Sequence, residues 1–197
     1  TLRYVVETRD SETRGHSERV SKLAGAIALQ MGFDPKEKEL IETAGLFHDI
    51  GKVGVPDSIL LKNGRLTDEE YDQIKQHPSA GEKILSTYTP FKDILPIVRQ
   101  HHERYGGGGY PDGLAGEDIC PGARVISVAD SFDAMVSNRT YRKGLGIQKA
   151  IEELKNGSSK HFDAAVVKAF LALIESIGVE EFNRLFYPLS SNDGGES

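Results

Sequence analysis

A chain of 197 residues with 38% hydrophobic and 27% charged side chains is long and apolar enough for one sizeable globular core. No apolar run reaches the roughly 18–20 residues that cross a bilayer, no signal peptide opens the sequence, and the single cysteine, Cys120, excludes an internal disulfide and fits a reducing cytoplasm. Acidic residues outnumber basic ones by 30 to 24, a net charge of −6, and no Lys/Arg cluster forms a track, which argues against duplex or long-strand nucleic-acid binding. A phosphorylated small molecule remains open as a ligand only where its site is made locally positive, and bound cations do that directly.

The predicted elements are helical almost throughout, so the fold class is all-α, a helical bundle. Helix-like sequence is already present at Thr1, which reads as a piece of a longer polypeptide, with one domain over residues 1–189 and a disordered polar tail over 190–197. From His16 to Met31, Val20, Leu23, Ala24, Ile27, Ala28 and Met31 keep i, i+3, i+4, i+7 spacing, and Gly32 ends the helix. Asp34-Pro35 starts the next, which buries Leu40, Ile41, Ala44 and Phe47 and runs to Asp49, with Gly51 as its stop. Thr67 and Glu70 form a capping box for a helix to about His77, interrupted by Pro78, with a short continuation capped by Ser79. Ile94 leads a helix to His101-His102. Gly106–Gly116 is a loop, because four consecutive glycines cannot hold a helix. Helices follow from Ala123 to Val136, from Ile147 to Lys155 and from Ala164 to Ser176, the last capped by Asp163.

Residues able to hold a cation are concentrated in the first two thirds of the chain: Glu12, His16, His48-Asp49, His77, His101-His102 and Asp130. Imidazole nitrogen and carboxylate oxygen suit iron, manganese, zinc or nickel, and a helical bundle can aim them all into one cavity. A continuous helix would place Glu12 and His16 on one face. His48 and Asp49 point about 100° apart on a helix, so both reach one site only near a helix end, and Gly51 supplies that end. Each residue also has an ordinary reading. A single helical histidine is more often a surface or core residue, Asp130 alone is a hydrogen-bonded or solvated acid, and Glu12 can pair with a nearby arginine at the surface. Five of the six histidines fall in this set, and the joint pattern is what gives it weight; His161 stands outside it as a structural or exposed residue, and Cys120 as packing.

The motifs Arg14-Gly15-His16, His48-Asp49-Ile50-Gly51-Lys52, His77-Pro78 with Gly81, His101-His102-Glu103, Gly109-Tyr110-Pro111, Val128-Ala129-Asp130 and Arg139-Thr140-Tyr141-Arg142 occur in this order. Together they resemble the HD-GYP group of HD metal-dependent phosphohydrolases, over roughly residues 10–170. The resemblance implies a phosphodiesterase acting on cyclic di-GMP, to pGpG or GMP, in bacterial second-messenger signalling. It implies two or three divalent metals, iron or manganese first and zinc or nickel also compatible. His16, His48, Asp49, His77, His101, His102 and Asp130 match the ligand positions, Glu12 the extra ligand of three-metal members, and Lys52, Arg139 and Arg142 the phosphate contacts.

Asp49 and Lys52 are thereby the catalytic candidates, with Tyr110 and Pro111 as substrate or partner contacts. Lys52 can equally serve only the helix dipole, the two arginines a solvated face, and Tyr110-Pro111 merely a turn. Gly106 replaces the family's aspartate, which predicts a looser loop. Two rival classes stay open: a signalling module docking a GGDEF-type synthase domain, and a phosphohydrolase acting on another cyclic or a linear nucleotide. Oligomeric state is not legible.

Overall fold

The computed structural model describes residues 15–62, 64–137 and 144–187. Glu12, Arg139 and Arg142 therefore lie outside the described residues, as does the tail. The helices are α1 (His16–Gln30), α2 (Pro35–Phe47), α3 (Asp57–Leu60), α4 (Asp68–Ile74), α5 (His77–Ser86), α6 (Leu95–Gln100), α7 (Pro121–Val136), α8 (Ile147–Gly157), α9 (Ala164–Ile177) and α10 (Val179–Phe186), with 3-10 turns at Ile50–Gly54, Thr89–Ile94 and Gly116–Asp118. Among the described residues no strand forms, only one isolated bridge between Ser158 and Phe162. The fold is all-α, as the periodicity predicts.

α1 turns the predicted stripe inward: Val20, Leu23, Ala24, Ile27 and Ala28 are fully buried. Removing such aliphatic side chains from water contributes about 1.5–3 kcal/mol each for the larger ones. α2 begins at a complete capping box, Asp34 accepting from the Lys36 and Glu37 N–H groups while Glu37 accepts from the Asp34 N–H. It packs most extensively on α1. α7 is the central post, burying Ala123, Val125, Ile126, Val128, Ala129 and Phe132 against its neighbours. Behind it the rings of Phe132 and Phe170 pack tilted with centroids 4.7 Å apart, and Phe182 meets both edge to face.

The boundaries near the histidines differ from the sequence expectation in ways that matter. α1 starts at His16, because Gly15 is left-handed at φ 72. The continuous helix invoked to align Glu12 with His16 is thus broken at Gly15. α4 ends at Ile74 and His77 heads α5, so Pro78 does not interrupt a helix there; it occupies the first turn, where its missing N–H costs nothing. Ser79 is not the cap, since Gln76 holds that position. α2 stops at Phe47 with His48 as its C-cap, and Asp49 leads into the 3-10 turn. The helix expected from Ile94 does form, as α6, with Ile94 as N-cap and His101 as C-cap, directly after a 3-10 turn. Asp163 caps α9 by accepting from the Ala165 N–H, as expected.

Candidate metal centre

Helix ends explain how the histidines are aimed. The last carbonyls of a helix have no intrahelical donor. His48 Nδ1 lies 2.8 Å from the Gly45 carbonyl, His77 Nδ1 2.8 Å from that of Ile74, and His101 Nδ1 2.7 Å from that of Val98. Each ring fastens to the carbonyl three residues back. Donation by Nδ1–H fixes the tautomer and leaves the Nε2 lone pair facing inward. His16 is oriented differently, its Nδ1 lying 2.7 Å from Asp133 Oδ2. Asp133 is itself buried and gripped by Arg19 at 2.7 and 3.0 Å.

The inward atoms form two groups. Asp49, His77, His101 and His102 make one, and His16, His48 and Asp130 the other, the atoms within each lying within 4.8 Å of one another. Asp49 stands between them. Its Oδ1 is 3.3 Å from His77 Nε2, and its Oδ2 is 3.4 Å from His48 Nε2 and 4.0 Å from His16 Nε2. Asp130 Oδ1 is 3.2 Å from His16 Nε2 and 4.0 Å from His48 Nε2. All seven described residues of the predicted ligand set are thus brought together. His161 is exposed and away from them, and the half-buried Cys120 packs against the core.

Whether these groups fit a cation is decided by what they lack. His77 Nε2 and His101 Nε2 face each other at 3.3 Å. With both Nδ1 atoms donating to carbonyls, these are two lone pairs in contact, which only a positive centre between or beside them satisfies. His48 Nε2 is buried with no hydrogen-bond partner among the described residues, an arrangement that costs free energy unless something binds there. Ions of the zinc and iron class sit about 2.0–2.2 Å from such atoms, so ligand atoms under about 4.4 Å apart can share one. The buried His/Asp cluster fits divalent metal binding.

The electrostatics agree. Burial, with smaller repulsions from neighbouring imidazoles, pushes His77 and His102 down to about 3, and His101 well below its ordinary value, which favours the neutral rings that ligation requires. Burial also pushes His16 down, but the Asp130 and Asp133 carboxylates on either side outweigh it and raise it to about 9. The pocket therefore favours positive charge at His16. Burial pushes the Asp49 carboxyl up, yet Lys52 and then His48 overcome this and hold it well below the usual carboxylate range. The Lys52 ammonium donates to Asp49 Oδ2 at 2.7 Å, so its contact is with a candidate ligand.

Two further acids become distinctive only in the structure. Asp133, one turn after Asp130, orients His16. Glu103 is buried and accepts from the Asp112 and Gly113 N–H groups at 2.7 and 3.0 Å. The expected loosening of the loop is not met. Gly106 N–H donates to the Lys160 carbonyl at 2.7 Å and Tyr105 N–H to that of His161 at 3.1 Å. A Cβ on Gly106 would meet the Lys160 carbonyl oxygen at 2.7 Å, so glycine permits this close approach. Tyr110 lies over His102, centroids 4.8 Å apart, and Tyr110-Pro111 is a cis peptide.

Asp133→Ala is expected to weaken metal binding at the His16 group roughly 10- to 100-fold, as loss of a partner that orients a ligand does, and to leave the His77, His101 and His102 group unchanged. Chelator competition on the purified variant reads this directly; equal affinity at both groups contradicts it.

A family description, HD domain, matches residues 1–166. A cyclic di-GMP phosphodiesterase of Thermotoga maritima is 42% identical over 198 aligned positions, covering 100% of this chain and 54% of that protein. Among solved structures, Bd1817, an HDG"Y"P protein from Bdellovibrio bacteriovorus, superposes with a TM-score of 0.67 at 25% identity, covering 81% of this chain and 51% of that one. A cyclic GMP-AMP specific phosphodiesterase of V. cholerae gives a TM-score of 0.57 at 30% identity, covering 90% and 40%. The chain belongs to the HD domain family, in its HD-GYP group. It spans about half the length of that T. maritima relative. No helix among the described residues is long and apolar enough to cross a membrane.

Proposed function

We propose that this domain is a metal-dependent phosphodiesterase that hydrolyses cyclic di-GMP to pGpG or GMP. The observation that carries the reading is the pair of ligand groups with Asp49 between them, one oxygen toward each. His16, His48 and Asp130 would hold one divalent ion and His77, His101 and His102 the other, with Asp49 able to serve both. When bound, the metals supply Lewis-acid charge and an activated water for in-line attack at phosphorus. Two divalent cations against two aspartates leave the site positive, which answers the problem of an acidic chain and an anionic substrate. Lys52 keeps Asp49 in place and adds charge where phosphoryl oxygens become more negative. Tyr110 and Pro111 border the site, and Arg139 and Arg142 are assigned to phosphate contacts by their motif. Iron or manganese suits the mixed nitrogen and oxygen donor set. The T. maritima relative supports cyclic di-GMP as substrate; the V. cholerae neighbour favours a cyclic GMP-AMP dinucleotide as the second reading.

Anaerobically purified protein supplied with Mn²⁺ or Fe²⁺ is expected to convert cyclic di-GMP to pGpG or GMP, identified by mass spectrometry. Absence of turnover at saturating metal, or turnover confined to another nucleotide, overturns the assignment. Glu12→Ala separates three metals from two. A fall of about one metal per chain with reduced but persistent activity supports a third ion held by one further carboxylate; unchanged metal content and kinetics return the site to two.

A further inference from the structure

A loop as rich in glycine as residues 106–116 cannot fix its own shape, so its fixings must come from outside. Backbone bonds hold it at Gly106, Tyr110 and Gly116, and two side-chain contacts converge on Asp112. From the inner side, the buried Glu103 accepts from the backbone N–H groups of Asp112 and Gly113 through a single oxygen, at 2.7 and 3.0 Å. From the outer side, Arg99 grips the Asp112 carboxylate with two bonds of 2.7 Å, and its third nitrogen donates to Glu82 on α5 at 2.6 Å. A bidentate guanidinium sets direction as well as distance. The loop segment held this way carries Tyr110 and Pro111, which with Asp72, Lys75, Gln76 and Arg99 line a cavity of about 530 Å³. That volume lies in the range of small-molecule sites. Tyr110 joins the cavity to the metal centre through its contact with His102.

The order of residues along the chain gives this arrangement its meaning. Arg99, His101, His102 and Glu103 lie within five consecutive positions, so the two clamping residues flank two metal ligands on one short element. Any shift of the cavity wall relative to the metals must stretch one of these contacts. We propose that Glu103 and Arg99 are positioning residues that hold the Tyr110-Pro111 segment in register with the metal centre, so that the wall meets the cyclic dinucleotide while its phosphodiester lies at the metals. The inference rests on the cyclic-dinucleotide reading given above.

The test compares Glu103→Ala, Glu103→Gln, Arg99→Met and Arg99→Met/Asp112→Asn, loaded with Mn²⁺, in steady-state kinetics on cyclic di-GMP and in amide hydrogen exchange over residues 104–116. Glu103→Ala is expected to raise KM roughly tenfold through loss of charge-assisted bonds, with kcat held within about twofold and metal content unchanged. Glu103→Gln keeps the accepting oxygen and should return both KM and the protection of Asp112 and Gly113 close to wild type. Arg99 lies at the half-exposed rim, so Arg99→Met should fold and raise KM about threefold; the double variant should be no worse than the single, because both remove one contact. Unchanged KM in both Glu103→Ala and Arg99→Met, or a loss of metal and kcat in place of the KM effect, overturns the proposal. If Glu103→Ala does not fold, Arg99→Met and the double variant decide. If the wild-type protein turns over no cyclic dinucleotide, the functional reading falls, and exchange alone judges the clamp. Protection of Asp112 and Gly113 that is lost in Glu103→Ala or Arg99→Met supports it, and absence of protection in the wild type overturns it.

Discussion

Asp49→Ala is expected to abolish phosphodiester hydrolysis, by roughly a thousandfold or more, while the helices stay folded. The size follows from position. Asp49 offers Oδ1 toward the His77 group at 3.3 Å and Oδ2 toward the His48 group at 3.4 Å. It also anchors the Lys52 ammonium at 2.7 Å. The substitution would remove a ligand from both groups at once and take away the carboxylate to which the Lys52 ammonium donates. The fold should tolerate it, because the Asp49 side chain caps no helix. Turnover, metal analysis and far-UV circular dichroism on the same preparation read all three consequences. Near-normal turnover at saturating metal would remove Asp49 from the centre of the site.

Gly51→Ala has the second largest expected effect, on stability and metal content together. The 3-10 turn that follows Asp49 packs tightly on α5. A Cβ at residue 51 would run into the His77 carbonyl oxygen and would lie 2.5 Å from the Gly81 nitrogen. Both neighbours are backbone, so neither can swing aside. Overpacking of this kind costs about 1–3 kcal/mol, which for a domain of this size lowers Tm by roughly 3–10 °C. The displacement falls on His77, so one ion should bind more weakly. A thermal melt of the metal-free variant, followed by metal titration, measures both. A Tm within about 1 °C of wild type, with full metal loading, would mean the turn can open at little cost.

Gly51 illustrates where sequence reading reaches its limit. Read along the chain it is a helix stop after Asp49. In space it is the point where the turn carrying Asp49 meets the helix carrying His77. Which backbone passes within van der Waals contact of a glycine depends on tertiary packing, and nothing local encodes it. The same holds for Gly106: its substitution suggests a loose loop, yet the carbonyl that receives its N–H belongs to Lys160, far along the chain. By contrast the stripes of α1 and α7 are periodic enough to define their buried faces directly. The ligand set is legible for another reason. Histidine is scarce in the chain, and five of six falling at helix ends in one ordered series is a joint pattern even though each is ambiguous alone. Asp133 lacks such a signal, and Glu103 enters only as part of the His101-His102-Glu103 motif, with no role of its own. They are ordinary acids in an acidic protein, and become distinctive only when the structure brings His16 to one and two backbone N–H groups to the other. Helix boundaries near the site are the least legible feature. Proline at position 78 is compatible with breaking a helix or with starting one, and the choice depends on where the Ile74 carbonyl finds its donor.

Metal stoichiometry decides whether one chain would hold two divalent ions on either side of Asp49. Protein purified without oxygen, saturated with Fe²⁺ or Mn²⁺, freed of excess and analysed for bound metal should retain at least two ions per chain. A single tightly bound ion per chain, unchanged when both His101 and His102 are replaced by alanine, would rule out the two-metal site.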